Sequence, residues 1–108
     1  MRGPSEVARA KLVIDTGAVY TVVHPNFLER IGTTPGREVF VRTLERTLRI
    51  PIFTVERVSV FGATLDKYPV LAYAPAAFTP GIDGVLSIDI FHALKARLDF
   101  AAGTLIIP

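Results

Sequence analysis

The sequence predicts a small all-β domain with one or two short helices, and three observations support this class. The chain has 108 residues, 50% hydrophobic and 20% charged, a composition that suits one folded domain and argues against disorder. Apolar and polar residues alternate through much of residues 37–73, which is typical of half-buried strands. Residues 98–107 have the pattern of a hairpin that ends in an apolar strand.

Charge and composition argue against several partners and sites. Twelve Lys and Arg against ten Asp and Glu give a formal charge of +2, and the basic residues are scattered from Arg2 to Arg97, so no nucleic-acid partner is expected. The apolar runs are too short to cross a membrane and the first residues lack the apolar core of a secretory signal. We therefore expect a cytoplasmic protein, or a fragment of a larger one, without a membrane partner. The absence of cysteine excludes disulfides, thiol nucleophiles and thiolate metal sites.

The N-terminal segment is predicted to be a flexible arm. Residues 1–10 contain Gly3, Pro4 and several charges, and the apolar pattern begins only at Leu12. The folded domain is therefore expected to span residues 11–108.

The strongest chemical signal follows the first apolar run. Residues 12–14 are branched aliphatic residues that predict a buried strand, and Asp15 stands at its end, before a turn at Thr16 and Gly17. Burying a carboxylate is costly unless it is hydrogen-bonded, so Asp15 is either well supported by donors or functional. Asp-Thr-Gly is also ordinary turn chemistry, because Asp accepts bonds from nearby amides and Gly adopts positive φ. The tripeptide alone leaves both interpretations open.

A short strand over residues 20–23 and a short helix are predicted next. Pro25 breaks the strand, apolar residues follow at helical spacing, and Gly32 stands where the end of a helix favours left-handed backbone. These apolar residues are Phe27, Leu28 and Ile31. The helix is therefore expected to run over residues 25–31.

Neither histidine is expected to bind metal. His24 and His92 do not belong to any spacing typical of a metal site, so both are interpreted as structural or surface imidazoles. We expect no metal and no cofactor.

Residues 37–73 are expected to form hairpins. One hairpin has its tip at Leu44, Glu45 and Arg46, and a second turn at residues 61–63 leads into further strand over residues 64–73. The Pro and Gly content of residues 74–81 predicts a loop.

A second informative segment precedes another short helix. Residues 82–86 return to a buried strand, and this strand leads into the helix through four residues, Gly84, Val85, Leu86 and Ser87. Asp89 is expected to cap or orient the helix, Asp83 to lie in a loop and Asp99 on a surface strand, so none is expected to be a second catalytic acid. The apolar strand at residues 104–107 would favour pairing with another chain.

These two segments resemble the signatures of the retropepsin-like aspartic peptidases, in their bacterial form. Residues 12–18 match the pattern apolar-apolar-Asp-Thr-Gly-Ala, and residues 84–91 are similar to the second signature, in which two apolar residues and a glycine precede a short helix. The resemblance implies a small closed acid-protease barrel with a flap hairpin. It also implies that Asp15 is the catalytic acid, supported by Thr16, Gly17 and Ala18, and that residues 84–87 pack on this loop. The flap would be the hairpin tip at residues 44–46, closing over bound peptide.

The chemistry implied by the resemblance predicts a homodimer. Hydrolysis by an aspartic peptidase needs two carboxylates that share one proton, whereas Asp-Thr-Gly occurs once in this chain. The second carboxylate must then come from the Asp15 of a second copy across a twofold axis. By the same resemblance, the Thr16 hydroxyls would cross-link the two loops and the Gly17 amide would orient the carboxylates. The expected activity is that of an aspartic endopeptidase acting on peptide or protein substrates.

Two departures from the family pattern keep an alternative open. The hairpin tip lacks the glycine common in flaps and carries a Glu-Arg pair, and Ser87 stands where the family has glycine. A catalytically weakened module for dimerisation or peptide binding is the alternative. A third hypothesis is a phosphate-handling domain, as in actin-like ATPases. No Gly-rich phosphate loop followed by a long helix supports it.

Overall fold

Eight strands and two short helices form the chain in the computed structural model, which describes residues 1–42, 44–74 and 80–108. Their bounds are β1 Leu12–Ile14, β2 Val22–Val23, α1 Pro25–Ile31, β3 Pro35–Arg42, β4 Thr47–Val60, β5 Ala63–Ala72, β6 Gly84–Leu86, α2 Ile88–Ala93, β7 Arg97–Asp99 and β8 Thr104–Ile106. Most of the loop predicted at residues 74–81 lies outside the described residues.

Six strands form one curled sheet. Their order is β1-β6-β2-β5-β4-β3, and β7 pairs with β8 as a separate hairpin. The pairs β1–β6 and β2–β5 are parallel, whereas β2–β6, β3–β4 and β4–β5 are antiparallel. The predicted all-β class with two short helices is confirmed. The resemblance implied a closed barrel. One chain forms a half-barrel, because among the described residues no ladder joins the end strands β1 and β3.

Helix α1 has the bounds that the sequence predicted. Pro25 occupies its first turn, and Nδ1 of His24 accepts a hydrogen bond from the Asn26 amide at 3.0 Å. Gly32 ends the helix in the left-handed region at φ 87°. Phe27, Leu28 and Ile31 are buried, as their spacing requires. His24 is therefore a structural cap residue.

The core lies between the curled sheet and the two helices. Val23, Leu28, Ile31, Val55 and Ile90 are all fully buried and belong to one cluster. They come from β2, α1, β4 and α2, so the core connects elements from most of the chain. This cluster fixes the ends of β2 and β6 on which the candidate site is built.

The N-terminal segment lies against the domain. The backbones of Arg2 and Arg57 exchange two hydrogen bonds, of 2.7 and 3.2 Å, and the Ser5 amide donates to the Ile31 carbonyl at 2.9 Å. Ala8 is buried in the core cluster. These contacts join the segment to β4 and α1, and the mobility expected for residues 1–10 stays a prediction.

Candidate active site

The loop of residues 15–18 is held between β6 and α2. The Asp15 amide donates to the Leu86 carbonyl at 2.9 Å, and the Ile88 amide donates to the Ala18 carbonyl at 3.2 Å. Strand β1 pairs with β6 in register, Ile14 opposite Leu86. Residues 84–87 thus lie directly beside the loop, the arrangement that the resemblance implies.

The Asp15 carboxylate is supported by the loop itself. The Gly17 amide donates to Oδ1 of Asp15 at 2.9 Å, and the Ala18 amide donates to the Asp15 carbonyl at 3.2 Å. A side chain at residue 17 would place its Cβ 3.2 Å from the same Oδ1, so glycine leaves room for the carboxylate. Asp15, Thr16 and Gly17 are exposed, which makes the acid accessible to solvent and to another molecule.

The surface around Asp15 is apolar, which differs from the sequence prediction. Strand β1 was expected to be buried, yet Val13 is 48% exposed and Ile14 55% exposed. The reason is that β1 forms the edge of the sheet, so one chain has no element to cover it. On the other side of the loop, Thr16 shares a cavity wall with Ile88 and Leu98, which are 47% and 48% exposed. The candidate acid therefore lies within an exposed apolar surface.

A hydrogen-bond network lies behind the loop. The hydroxyl of Thr21 donates to Oδ1 of Asp89 at 2.7 Å, and the hydroxyl of Tyr68 donates to Oδ2 at 2.9 Å. Thr21 Oγ1 in turn accepts from the Ser87 amide at 3.1 Å. Burial, and then the hydrogen bond and the charge of Asp89, raise the pKa of Tyr68 above its usual range. The network ties β2, β5 and the start of α2 together.

Sequence reasoning missed this network. Asp89 was expected to cap or orient its helix, but its side chain bonds to Thr21 and Tyr68, which are 68 and 21 residues distant in sequence. The N-cap position of α2 is Ser87, and its side chain makes no capping bond. The one available signal was Thr21, a hydroxyl residue in an apolar strand shortly after the loop.

Ser87 and Gly84 are the tightly packed positions of the second segment. Ser87 is fully buried, and its hydroxyl has no hydrogen-bond partner among the described residues. A side chain at residue 84 would clash with the Val22 carbonyl, so glycine is required where β6 passes β2. The serine thus places an unpaired polar group beside the loop.

The candidate flap is the tip of the β3–β4 hairpin. The hairpin closes with Arg42 opposite Thr47, and Leu44, Glu45 and Arg46 are exposed at its tip. Between this hairpin and β5 lies a groove of about 300 Å³, which we call the hairpin groove. Its lining includes Tyr20, Val39, Val41, Ile52, Leu71 and Asp89. Tyr20, five residues after Asp15 in the sequence, connects this groove to the segment that follows the loop.

The described part of the chain has neither a cluster of metal ligands nor a membrane-spanning helix. Within residues 1–42, 44–74 and 80–108, no three His, Asp or Glu side chains come together as a metal site. No helix in that part of the chain has the length and apolar character needed to cross a bilayer.

Comparison with known proteins identifies one family. A family model described as aspartyl protease matches residues 5–90, which are 86 of the 108 residues. The match includes Asp15, the hairpin tip and residues 84–87. No protein of curated function matches the sequence.

Proposed function

The chain belongs to the aspartyl protease family, as its two signature segments predicted, and on this premise we propose that it is an aspartic endopeptidase whose Asp–Asp dyad forms across a homodimer axis. The observation that carries this proposal is the position of Asp15. It is an exposed carboxylate, held by the Gly17 amide and surrounded by exposed apolar side chains.

The chemistry requires a second acid. In peptide hydrolysis by a carboxylate dyad, the ionised carboxylate takes a proton from a bound water while the protonated one polarises the scissile carbonyl. Asp-Thr-Gly occurs once in the sequence, so one chain supplies half of this pair. A twofold axis beside Asp15 would bring two identical carboxylates together.

The apolar surface beside Asp15 supports such an axis. Val13, Ile14, Ile88 and Leu98 are each about half exposed, and Ile106 on β8 is 42% exposed. Several exposed large apolar side chains on the elements around one loop favour an interaction site. A second copy placed on it would cover the edge strand β1 and both sides of the loop.

Each part of the loop has a role in this proposal. The Gly17 amide orients the Asp15 carboxylate, and the Thr16 hydroxyls, exposed in one chain, hydrogen-bond across the axis between the two loops. The β3–β4 hairpin, with Leu44, Glu45 and Arg46 at its tip, closes over the bound peptide and excludes water. Residues 84–87 hold the loop from behind.

The first experiment removes the acid. Asp15→Asn keeps the size and most hydrogen bonds of the side chain but cannot form the dyad, so we expect a folded dimer without peptide cleavage, whereas the unchanged chain cleaves peptides and is inhibited by pepstatin. The matched control is Asp66→Asn, since Asp66 is exposed and forms a surface ion pair with Arg57. Equal cleavage by the Asp15→Asn chain would exclude the proposed enzyme.

A second experiment tests whether the dyad crosses the dimer. Unchanged and Asp15→Asn chains are mixed in equal amounts and allowed to exchange subunits. If both acids are needed, mixed dimers are inactive and the activity per unchanged chain falls to about half. Activity that stays constant per unchanged chain would show that each Asp15 acts alone.

A catalytically weakened binding module is the second candidate. The buried, unpaired Ser87 hydroxyl beside the loop and the glycine-free hairpin tip are the observations that favour it. It predicts a dimer that binds extended peptides without turnover. Cleavage that depends on Asp15 would exclude this candidate.

A further inference from the structure

The hairpin groove has the shape and lining of a site for one large side chain. Its walls are formed mainly by aliphatic residues of the hairpin and of β5, such as Val39, Val41, Ile52 and Leu71. Tyr20, which is 57% exposed, lines it as well. An aromatic side chain so exposed at the edge of an apolar cavity of about 300 Å³ favours an apolar ligand group.

The groove has one cation in its wall. Arg37 lies between Pro35 and Glu38, where the pairing of β3 with β4 shifts register, and Val39 and Val41 follow it along the groove. Arg37 is exposed and lines the groove. Arg37 belongs to neither of the ion pairs Arg30–Glu6 and Arg57–Asp66.

The groove also contains an acid, but that acid is already engaged. The two oxygens of Asp89 accept hydrogen bonds from Thr21 and Tyr68, and the residue is partly buried. Its negative charge disfavours a second carboxylate close to it. An anionic group in the groove is therefore favoured near Arg37 and disfavoured near Asp89.

We propose that the hairpin groove selects peptides in which a large apolar residue and an acidic residue are two positions apart. The apolar side chain fills the groove between Tyr20 and Leu71, and the acidic side chain pairs with Arg37. In an extended peptide, residues two apart point to the same side at a spacing of about 6.5 Å, so one peptide can present an apolar and an acidic side chain to the groove together. This inference rests on the proposed function in that the ligand is a peptide.

The test measures binding to the full-length Asp15→Asn chain, so that cleavage does not interfere. Fluorescently labelled ten-residue peptides carry a central Phe with Glu two positions before or after it, and matched peptides carry Gln or Lys instead of Glu, or Ala instead of Phe. We expect one Glu peptide to bind about three- to five-fold more tightly than its Gln counterpart, the range of an exposed ion pair, and the difference to shrink at high salt. The Ala peptide should bind weakly.

Two arginine variants test whether Arg37 causes the preference for the Glu peptide. Arg37→Gln should abolish the difference between the Glu and Gln peptides. Arg42→Gln is the matched control, because Arg42 is exposed on the same strand but does not line the groove, and the difference should persist. Tyr20→Ser should weaken the binding of the Glu and Gln peptides equally, since it removes part of the apolar wall and leaves Arg37 in place.

The outcomes separate this inference from the proposed function. Equal binding of Glu and Gln peptides, tighter binding of the Lys peptide, a preference that survives Arg37→Gln, or no binding at all would overturn the groove assignment. Cleavage that depends on Asp15 but not on the acidic residue of the peptide would support the peptidase function and exclude the proposed selectivity of the groove. A preference that depends on Arg37, in a chain without cleavage, would support the selectivity of the groove and exclude the peptidase function.

Discussion

At the scale of single residues, Ser87 is one of the two departures from the expected family pattern, and its buried side chain has an energetic cost. Its hydroxyl is fully buried without a hydrogen-bond partner among the described residues. A buried polar group in that state destabilises a fold, because the group loses its bonds to water and gains none. The backbone amide of the same residue is satisfied by Thr21 Oγ1 at 3.1 Å, so only the hydroxyl carries this cost.

Removing that hydroxyl should stabilise the protein. We expect Ser87→Ala to raise the free energy of unfolding by about 1 kcal/mol, measured by urea denaturation. Ser59→Ala, at an exposed position of β4, should leave it unchanged. A loss of stability in Ser87→Ala would mean that the hydroxyl has a partner in solution, such as a bound water.

Ala18 sets the second prediction at this scale. Its amide donates to the backbone carbonyl of Asp15 and its methyl group offers no donor, whereas a serine there could donate a hydroxyl bond to the ionised acid. We expect Ala18→Ser to move the acid limb of the pH–rate profile for peptide cleavage to lower pH. Ala93→Ser, an exposed change on α2, is the control. An acid limb that stays in place or moves upward would refute this explanation.

At the scale of elements, local sequence signals were sufficient to predict the bounds of α1 and insufficient to predict the exposure of β1. Pro25 and Gly32 mark the ends of a helix whose apolar spacing is visible in the sequence, and its predicted bounds are confirmed. The burial of Val13 and Ile14 depends instead on what lies beside their strand, and an edge position cannot be read from three aliphatic residues. The Thr21–Asp89–Tyr68 network was missed for the same reason, because its members are distant in sequence.

Because of this network, the free energy of unfolding should fall at high pH. The pKa of Tyr68 is raised above its ordinary value of 10.0 in the folded state, chiefly by burial and then by Asp89. Above that ordinary value the unfolded chain loses the phenol proton while the folded chain keeps it, so the unfolded state binds fewer protons and stability falls as pH rises. Below it, this contribution is fully present.

Tyr68→Phe isolates the effect. We expect the variant to lose about 1 kcal/mol at neutral pH through the missing hydrogen bond to Asp89, and to show a shallower loss of stability above pH 10 than the unchanged chain. Urea denaturation across the alkaline range measures both. Tyr73→Phe serves as the control, and identical alkaline slopes for the Tyr68→Phe and unchanged chains would contradict the prediction.

At the scale of the whole molecule, one chain is an open half-barrel with an apolar edge, and the candidate acid lies on that edge. Three features on which the proposed dimer depends therefore coincide: the exposed strand β1, the single Asp-Thr-Gly and the apolar side chains on both sides of the loop. Pairing of two chains would cover the apolar surface and complete the dyad in one step, so dimerisation and activity should be lost together.

A charge introduced at Leu98 tests this coupling. Leu98 is 48% exposed and shares a cavity wall with Thr16, so Leu98→Asp should leave the folded chain intact but place an unpaired charge in the interface. We expect a monomer in sedimentation velocity at concentrations where the unchanged chain is a dimer, with cleavage lost in parallel and partly restored at high protein concentration. Val7→Asp, at a position 60% exposed on the N-terminal segment, should keep both properties. A Leu98→Asp chain that is monomeric yet fully active would show that Asp15 does not need its counterpart, and a fully dimeric one would place the axis elsewhere.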